Sequence, residues 1–280
     1  MKWMVFGCNG TLGSELVALL KHKKEELFAF SHQDVSIEDE NLISKKIHSI
    51  QPDVIINAAA YNAVDAAEQD QEKAFSVNSK AVLNLALQAS DCDAIFVHYS
   101  TDYVFDGAKK TAYSEDDFPF PLSVYGKTKL SGEQSALAGN KKTYALRPAV
   151  VFGSGGNNFL SRLLHMAKEK NHFNMVTNLI GSPTPAYSLA EASIKLVESS
   201  APFGLYHAAG EDFCSRYEFA QAINQLWELG LSITPVVAEE KEGCAKRPHK
   251  VILENKKLSQ LGIHIDSWQK GLEHIRKHQH

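Results

Sequence analysis

The sequence predicts a fold of the α/β class, a doubly wound parallel sheet with helices on both faces, followed by a smaller C-terminal lobe. Three observations carry this. Short apolar runs alternate with segments of helical period through the first half of the chain. The first run opens into Gly7-Cys8-Asn9-Gly10-Thr11-Leu12-Gly13, a glycine turn between a strand and a helix. The other polar motifs fall where apolar runs end, and strand ends are where such sheets bind ligands. Strands separated by helices have no hairpin to reverse them, so they lie parallel and are covered on both faces.

The elements follow in order. A first strand is predicted over residues 3–6 and a helix over 12–21, where Leu12, Leu16, Leu19 and Leu20 share one side. A second strand at 27–30 leads to a helix at 39–50. Pro52 precedes a third strand at 53–56, which opens into Asn57-Ala58-Ala59-Ala60-Tyr61. One long helix covers 71–89, with Phe75, Val82 and Leu85 inward, before a fourth strand at 94–98. A helix at 122–138 and a fifth strand at 143–146 complete the regular part. After Arg147-Pro148 the pattern loosens, with helices at 159–168, 186–198 and 216–229 and a strand at 204–208 that returns to the main sheet. Residues 1–148 are thus expected to form a dinucleotide-binding domain, completed by a returning segment near 177–208, and residues 149–280 mainly a substrate-binding lobe. A polar loop at 239–249 belongs to that lobe.

Composition sets the class. With 44% hydrophobic and 22% charged residues the chain can build a core, and a net charge of −4 without a basic block does not indicate a nucleic-acid partner. Cys8, Cys92, Cys214 and Cys244 are scattered with no Cys-x-x-Cys pair, which suits free thiols in a reducing compartment. No apolar run approaches the ~20 residues of a membrane span, and the apolar start reads as a strand, not a signal peptide. A cytoplasmic protein without membrane contact is expected. The twelve histidines lack ligand spacing, so a dispersed, mostly solvated set is expected and no metal site; His278 and His280 fall in a polar tail. Glu115-Asp116-Asp117 reads as a solvated loop.

Three segments carry chemistry. The glycine turn lets backbone approach a pyrophosphate, while the helix start at Thr11, Leu12 and Gly13 faces its charge. Asp34 stands near the offset of about 20 residues at which an acid meets the adenosine ribose, which would favour NADH. The predicted strand ends at Phe30, however, which puts Ser31-His32-Gln33 at its tip and Asp34-Val35-Ser36 beside the adenine, so NADPH and NADH both stay open. Tyr125 and Lys129 stand four apart in a helical stretch and share a face. An ammonium beside a phenol favours the phenolate, giving a proton donor matched to the alkoxide left by hydride transfer. Lys129 also suits a nicotinamide ribose. Thr101, in Ser100-Thr101-Asp102 at the fourth strand's end, donates to the same carbonyl oxygen. Gly156-Asn157-Asn158 at a helix start and Arg247 in the polar loop suit phosphate or nucleobase contacts, so Asn158 and Arg247 are expected at a nucleotide-linked substrate.

These residues resemble the extended short-chain dehydrogenase/reductase superfamily and, within it, the dTDP-4-dehydrorhamnose reductase family. The resemblance runs through DVIINAAA from Asp53 to Ala60, then Ala63-Val64-Asp65 with Glu68, and HYSTDYVFDG from His98 to Gly107. It continues through PLSVYGKTKL from Pro121 to Leu130, Gly132-Glu133, Gly156 to Phe159, Gly181 to Thr184, and Arg247-Pro248. It implies a Rossmann NAD(P)-binding fold and NADPH- or NADH-dependent reduction of the 4-keto group of dTDP-6-deoxy-L-lyxo-4-hexulose to dTDP-L-rhamnose. By motif it implies a catalytic trio of Thr101, Tyr125 and Lys129. Gly7, Gly10, Leu12, Asp34, Val35, Ala58, Ala59 and Ala60 would line the cofactor, and Val64, Asp102 and Tyr103 the sugar. Val150 stands where the family commonly has the tryptophan that packs on the sugar, and Asn178-Leu179 where it tends to have Asp-Gln. Related 4,6-dehydratases need a carboxylate pair after the threonine; here Asp102 is followed by Tyr103. Alternatives within the resemblance are a reductase or epimerase for another nucleotide sugar, or a cofactor-binding regulatory subunit of the same fold. A homodimer is compatible with each.

Overall fold

The computed structural model describes residues 1–239 and 243–278. Its first part runs β1 (Lys2–Phe6), α1 (Thr11–His22), β2 (Glu26–Phe30), α2 (Glu40–Ile50), β3 (Val54–Asn57), α3 (Val64–Gln69), α4 (Gln71–Phe75) and α5 (Ala81–Asp91). Then come β4 (Ile95–Tyr99), α6 (Val124–Gly139), β5 (Thr143–Arg147), β6 (Val151–Phe152), α7 (Phe159–Met166), β7 (His172–Val176), β8 (Ile180–Gly181) and β9 (Thr184–Pro185). The chain closes with α8 (Ala186–Glu198), β10 (Gly204–His207), β11 (Cys214–Ser215), α9 (Arg216–Leu226), β12 (Ser232–Val236), α10 (Lys256–Gln260) and α11 (Trp268–His278).

Six strands form one sheet in the order β10-β5-β4-β3-β1-β2, with every pairing parallel. Winding runs outward from β1 to β2 and then reverses to β3, which opens a crevice at the carboxyl ends of β1 and β3. The strands read as unbroken apolar runs because both faces are buried. Trp3 and Val5 pack on one face with Leu16 and Leu20 of α1 and Leu189 and Leu196 of α8. Met4 and Phe6 pack on the other with Ile43 and Ile47 of α2 and Val82 and Leu85 of α5. Each such side chain, fully buried, contributes about 1.5–3 kcal/mol. The returning strand expected near 204–208 is β10, at the sheet edge beside β5. Leu258, Ile263 and Ile265 also return to the first face. A separate cluster of Phe152, Leu160, Phe219, Ile223, Leu272 and Ile275 joins α7, α9 and α11.

The long helix expected over 71–89 is interrupted by a π turn at Ser76–Lys80, between α4 and α5. The Asn78 side chain in that turn accepts from the Tyr61 N–H at 2.8 Å and donates to the Tyr61 carbonyl and to Thr128 Oγ1, both at 3.0 Å. Among the described residues no helix is long and apolar enough to cross a membrane.

Candidate active site

At the crevice the backbone is packed too closely for side chains. Gly7 has φ +79°, and a Cβ there would lie 2.7 Å from the Ala59 nitrogen. A Cβ on Gly13 would lie 2.1 Å from the Gly7 oxygen, so the first turn of α1 rests on the glycine turn itself. Gly10 differs: it is exposed, and its Cβ would meet only the Gly7 oxygen, at 3.3 Å. Gly10 is the N-cap of α1, no side chain caps that helix, and no acid stands in its first turn. The N–H groups of Thr11, Leu12 and Gly13 therefore form a bare positive helix end, which fits a pyrophosphate. Ala58, Ala59 and Ala60 follow β3 beside this turn, half-buried, with the Ala59 N–H held by Asn57 Oδ1 at 3.1 Å.

Three expectations near this turn change. Asn158 Nδ2 donates to the Gly153 and Gly155 carbonyls (3.0 and 2.9 Å) and to Thr11 Oγ1 (3.3 Å), while its Oδ1 accepts from the Ser161 N–H. It is the buried N-cap of α7 and ties that loop to the glycine turn, so its amide is not free for a substrate. Val35 lies in the core, leaving only its backbone for a cofactor. Asp34 is turned back, its Oδ2 accepting from the Ser31 N–H at 2.9 Å and Ser31 Oγ at 2.6 Å, which lowers its carboxyl pKa. The exposed tip after β2 is His32-Gln33-Asp34.

Thr101 closes the end of β4, where Thr101 Oγ1 donates to Asp102 Oδ1 at 3.0 Å and accepts from the Tyr103 N–H at 3.2 Å. Tyr125 is the second residue of α6, whose start is fixed by Ser123 on the Gly126 N–H and by Glu68 on the Val124 N–H, at 3.1 and 2.8 Å. Its ring meets Tyr103 edge-on at 5.6 Å, and its hydroxyl donates to Asn62 Oδ1 at 3.4 Å. Lys129, 3% exposed, donates from Nζ to the Tyr99 carbonyl at 2.5 Å. Burial pushes the Tyr125 phenol up, against the hydrogen bond with Thr101, and pushes Lys129 down to about 8, against the attraction of Glu133. The expectation that Lys129 lowers the phenol is therefore corrected: desolvation dominates, and the ammonium is aimed at Tyr99.

Beyond Asp102 a small cavity is lined by Asp102, Tyr103, Val150, Gly181, Arg216 and Pro248. Asp102 is buried, and burial lifts its carboxyl to about 6 against the Thr101 bond and the Arg216 charge. Val64 packs beside Tyr103 and Tyr125. Val150 has φ +44°, a strained backbone for a β-branched residue. Arg247 pairs with Asp65 Oδ2 at 2.7 Å and donates to the Ala245 carbonyl at 3.2 Å. Arg216, which the sequence reading passed over, lies 5.7 Å over the Phe159 ring, and both guanidiniums act on the Tyr103 phenol. A cation in the first turn of α9 opposes the helix dipole, and that is the signal that marks it. Asn178 pairs with both backbone groups of Ala238, at 3.1 and 2.7 Å, and so holds a loop.

Elsewhere His98 and His207 are fully buried, not solvated, while the other described histidines are exposed; His280 lies outside the described residues. Glu115 is also buried, because it accepts from the Lys257 N–H at 3.1 Å. Among the described residues no cluster of three or more acids, histidines or cysteines could hold a metal ion.

A parallel sheet wound in this order, with its glycine turn at the reversal and a phenol and ammonium on the helix beside it, defines a nicotinamide-dependent oxidoreductase of the short-chain class. Within that class the chain belongs to the dTDP-4-dehydrorhamnose reductase family. The family model described as the RmlD substrate binding domain matches residues 1–280. The chain is 36% identical to the dTDP-4-dehydrorhamnose reductase of Aggregatibacter actinomycetemcomitans, covering 98% of this chain and 97% of that one. It is also 36% identical to the spore coat polysaccharide biosynthesis protein SpsK of Bacillus subtilis, over 97% and 95% of the two chains. The Bacillus anthracis dTDP-4-dehydrorhamnose reductase, solved with NADP, superposes with a TM-score of 0.93 at 31% identity, covering 98% of this chain and 99% of that one.

Two outcomes are expected. Gly10→Val should weaken NADPH binding at least tenfold by calorimetry while Tm changes little, because only the pyrophosphate approach is blocked; Gly13→Ala should instead lose stability, with a Cβ set 2.1 Å from backbone. Asp102 has a folded pKa raised to about 6 from an ordinary 3.8, so its ionised form destabilises the fold fully above pH 6, and the penalty fades as pH falls through that window. Asp102→Asn should thus raise Tm near neutral pH, by roughly 2–4 °C per kcal/mol recovered. Scanning calorimetry near pH 4 should show most of that gain gone.

Proposed function

We propose that this protein reduces the 4-keto group of dTDP-4-dehydro-L-rhamnose to give dTDP-L-rhamnose, with NADPH or NADH as reductant. The observation that carries the reading is the hydrogen bond between Tyr125 and Thr101, with Thr101 in turn bonded to Asp102 in the wall of the cavity shared with Tyr103 and Arg216. The substrate named for the reductase relatives supports it. The NADP held by the B. anthracis protein supports NADPH.

The nicotinamide ring, when bound, supplies a hydride. Gly7, Gly10 and the amides of Thr11, Leu12 and Gly13 would hold the pyrophosphate, and Ala58, Ala59 and Ala60 would line the cofactor. Thr101 Oγ1 and the Tyr125 hydroxyl converge on the ketone oxygen, and Tyr125 gives up its proton as negative charge develops there. Lys129 would hold the ribose through its ammonium donors. Val64, Asp102, Tyr103 and Val150 line the sugar, and Arg216 with Arg247 faces the diphosphate. In this reading residues 1–148, with the returning segment near 177–208, form the cofactor domain, and the rest of 149–280 the substrate lobe. Four free cysteines support a cytoplasmic setting, and the exposed Leu83 and Leu87 on α5 support a homodimer.

A panel of dTDP-, UDP- and GDP-4-ketohexoses, followed by NADPH oxidation, tests the substrate; preference for a sugar other than the dTDP-6-deoxyhexose would overturn it. Tyr125→Phe is expected to lower kcat by roughly 10²–10⁴ while NADPH affinity holds, since only the proton donor is removed. Wild-type turnover in that variant would remove Tyr125 from the role of acid.

A further inference from the structure

Helix α6 carries one more buried charge on the stripe that holds its reactive groups. Tyr125, Lys129 and Glu133 follow at intervals of four, and Lys129 and Glu133 are each 3% exposed. The Glu133 carboxylate is held at both oxygens by Arg147 on β5, with Nε at 2.8 Å and Nη2 at 2.6 Å. Arg147 is 2% exposed, lies 5.0 Å over the Phe105 ring, and reaches His207 Nε2 at 3.5 Å.

We propose that Glu133 is a positioning residue for the reduction: held at both oxygens by Arg147, its carboxylate is the buried counter-charge one helical turn from the Lys129 ammonium. The alternative, that Glu133 only neutralises Arg147, leaves Lys129 unexplained. A lone buried ammonium is strongly disfavoured, and its one hydrogen-bond acceptor among the described residues, the Tyr99 carbonyl, is uncharged. The titratable groups around Lys129 come from three elements. On β4, His98 is fully buried and kept neutral by burial and by the Lys129 charge, and Tyr99 donates its hydroxyl to Ser193. On α6 stand Tyr125 and Glu133, and on β5 Arg147 reaches the site only through Glu133. Glu133 is the one carboxylate among the described residues that acts on Lys129. An ammonium drawn down by burial loses its proton as pH rises, so the structure gives Lys129-dependent steps a basic limb, and Glu133 holds that limb up.

The inference rests on the role given to Lys129 in cofactor binding, so the test reads NADPH affinity as well as turnover across pH. For wild type, both are expected to fall on the alkaline side. Glu133→Gln should move the limb lower by about one pH unit, roughly a tenfold loss on its alkaline side. The double variant Glu133→Met/Arg147→Met removes the pair without stranding a buried charge, and such replacements are often neutral or stabilising. It serves where Glu133→Gln does not fold, and its limb should also move lower, though less. A limb at the wild-type position in the double variant, or in a folded Glu133→Gln protein, overturns the proposal. A wild type whose NADPH affinity shows no basic limb overturns the role of Lys129 and this inference with it. A wild type that shows the limb but turns over no ketosugar overturns only the substrate reading.

Discussion

Burial of the polar face of α6 is the constraint on which the site depends. Tyr125, Thr128, Lys129 and Glu133 are all 9% exposed or less, and a buried polar group without a partner costs several kcal/mol. Each is matched by a different part of the fold. Thr128 Oγ1 donates to the Tyr125 carbonyl at 2.8 Å and accepts from Asn78 in the π turn at 3.0 Å. Lys129 is met by β4 and Glu133 by β5. The helix is thereby pinned to three neighbours, and the proposed acid Tyr125 is fixed by contacts made mostly one and two turns further along. The π turn belongs to this arrangement, because it turns Asn78 toward both Thr128 and the loop after β3.

What was legible in the sequence follows from range. Strands buried on both faces announce themselves as apolar runs, and the glycine spacing and the Tyr125–Lys129 interval are local. The helix over 186–198 and the returning strand were read almost to the residue, because α8 and β10 pack on the main core. The features missed depend on contacts between distant segments. Asn158 meets Thr11 across 147 residues, Glu115 meets Lys257 across 142, and Arg247 meets Asp65 across 182. The small parallel pair of β7 and β12 has mixed polarity and carries little periodic signal. A π turn adds one residue to a helix without disturbing its apolar face enough to show.

Charge around Tyr103 sorts the two guanidiniums of the substrate side. Arg247 is matched by Asp65, which also accepts from the Ala245 N–H at 3.1 Å, so this pair closes a loop against α3. Arg216 forms no ion pair among the described residues, and the carboxyl it acts on, Asp102, is itself lifted by burial toward its neutral form. A dianionic group placed at this cavity would relieve the unmatched cation of Arg216 without displacing an existing pair, whereas engaging Arg247 means competing with Asp65. On that ground Arg216 is the stronger of the two proposed diphosphate contacts. On the proposed reading, Asp102, hydrogen-bonded to Thr101, is then left to meet the sugar hydroxyls. The strained Val150 backbone sits in the same wall, with its side chain packed on the cluster of Val104, Phe105 and Val251.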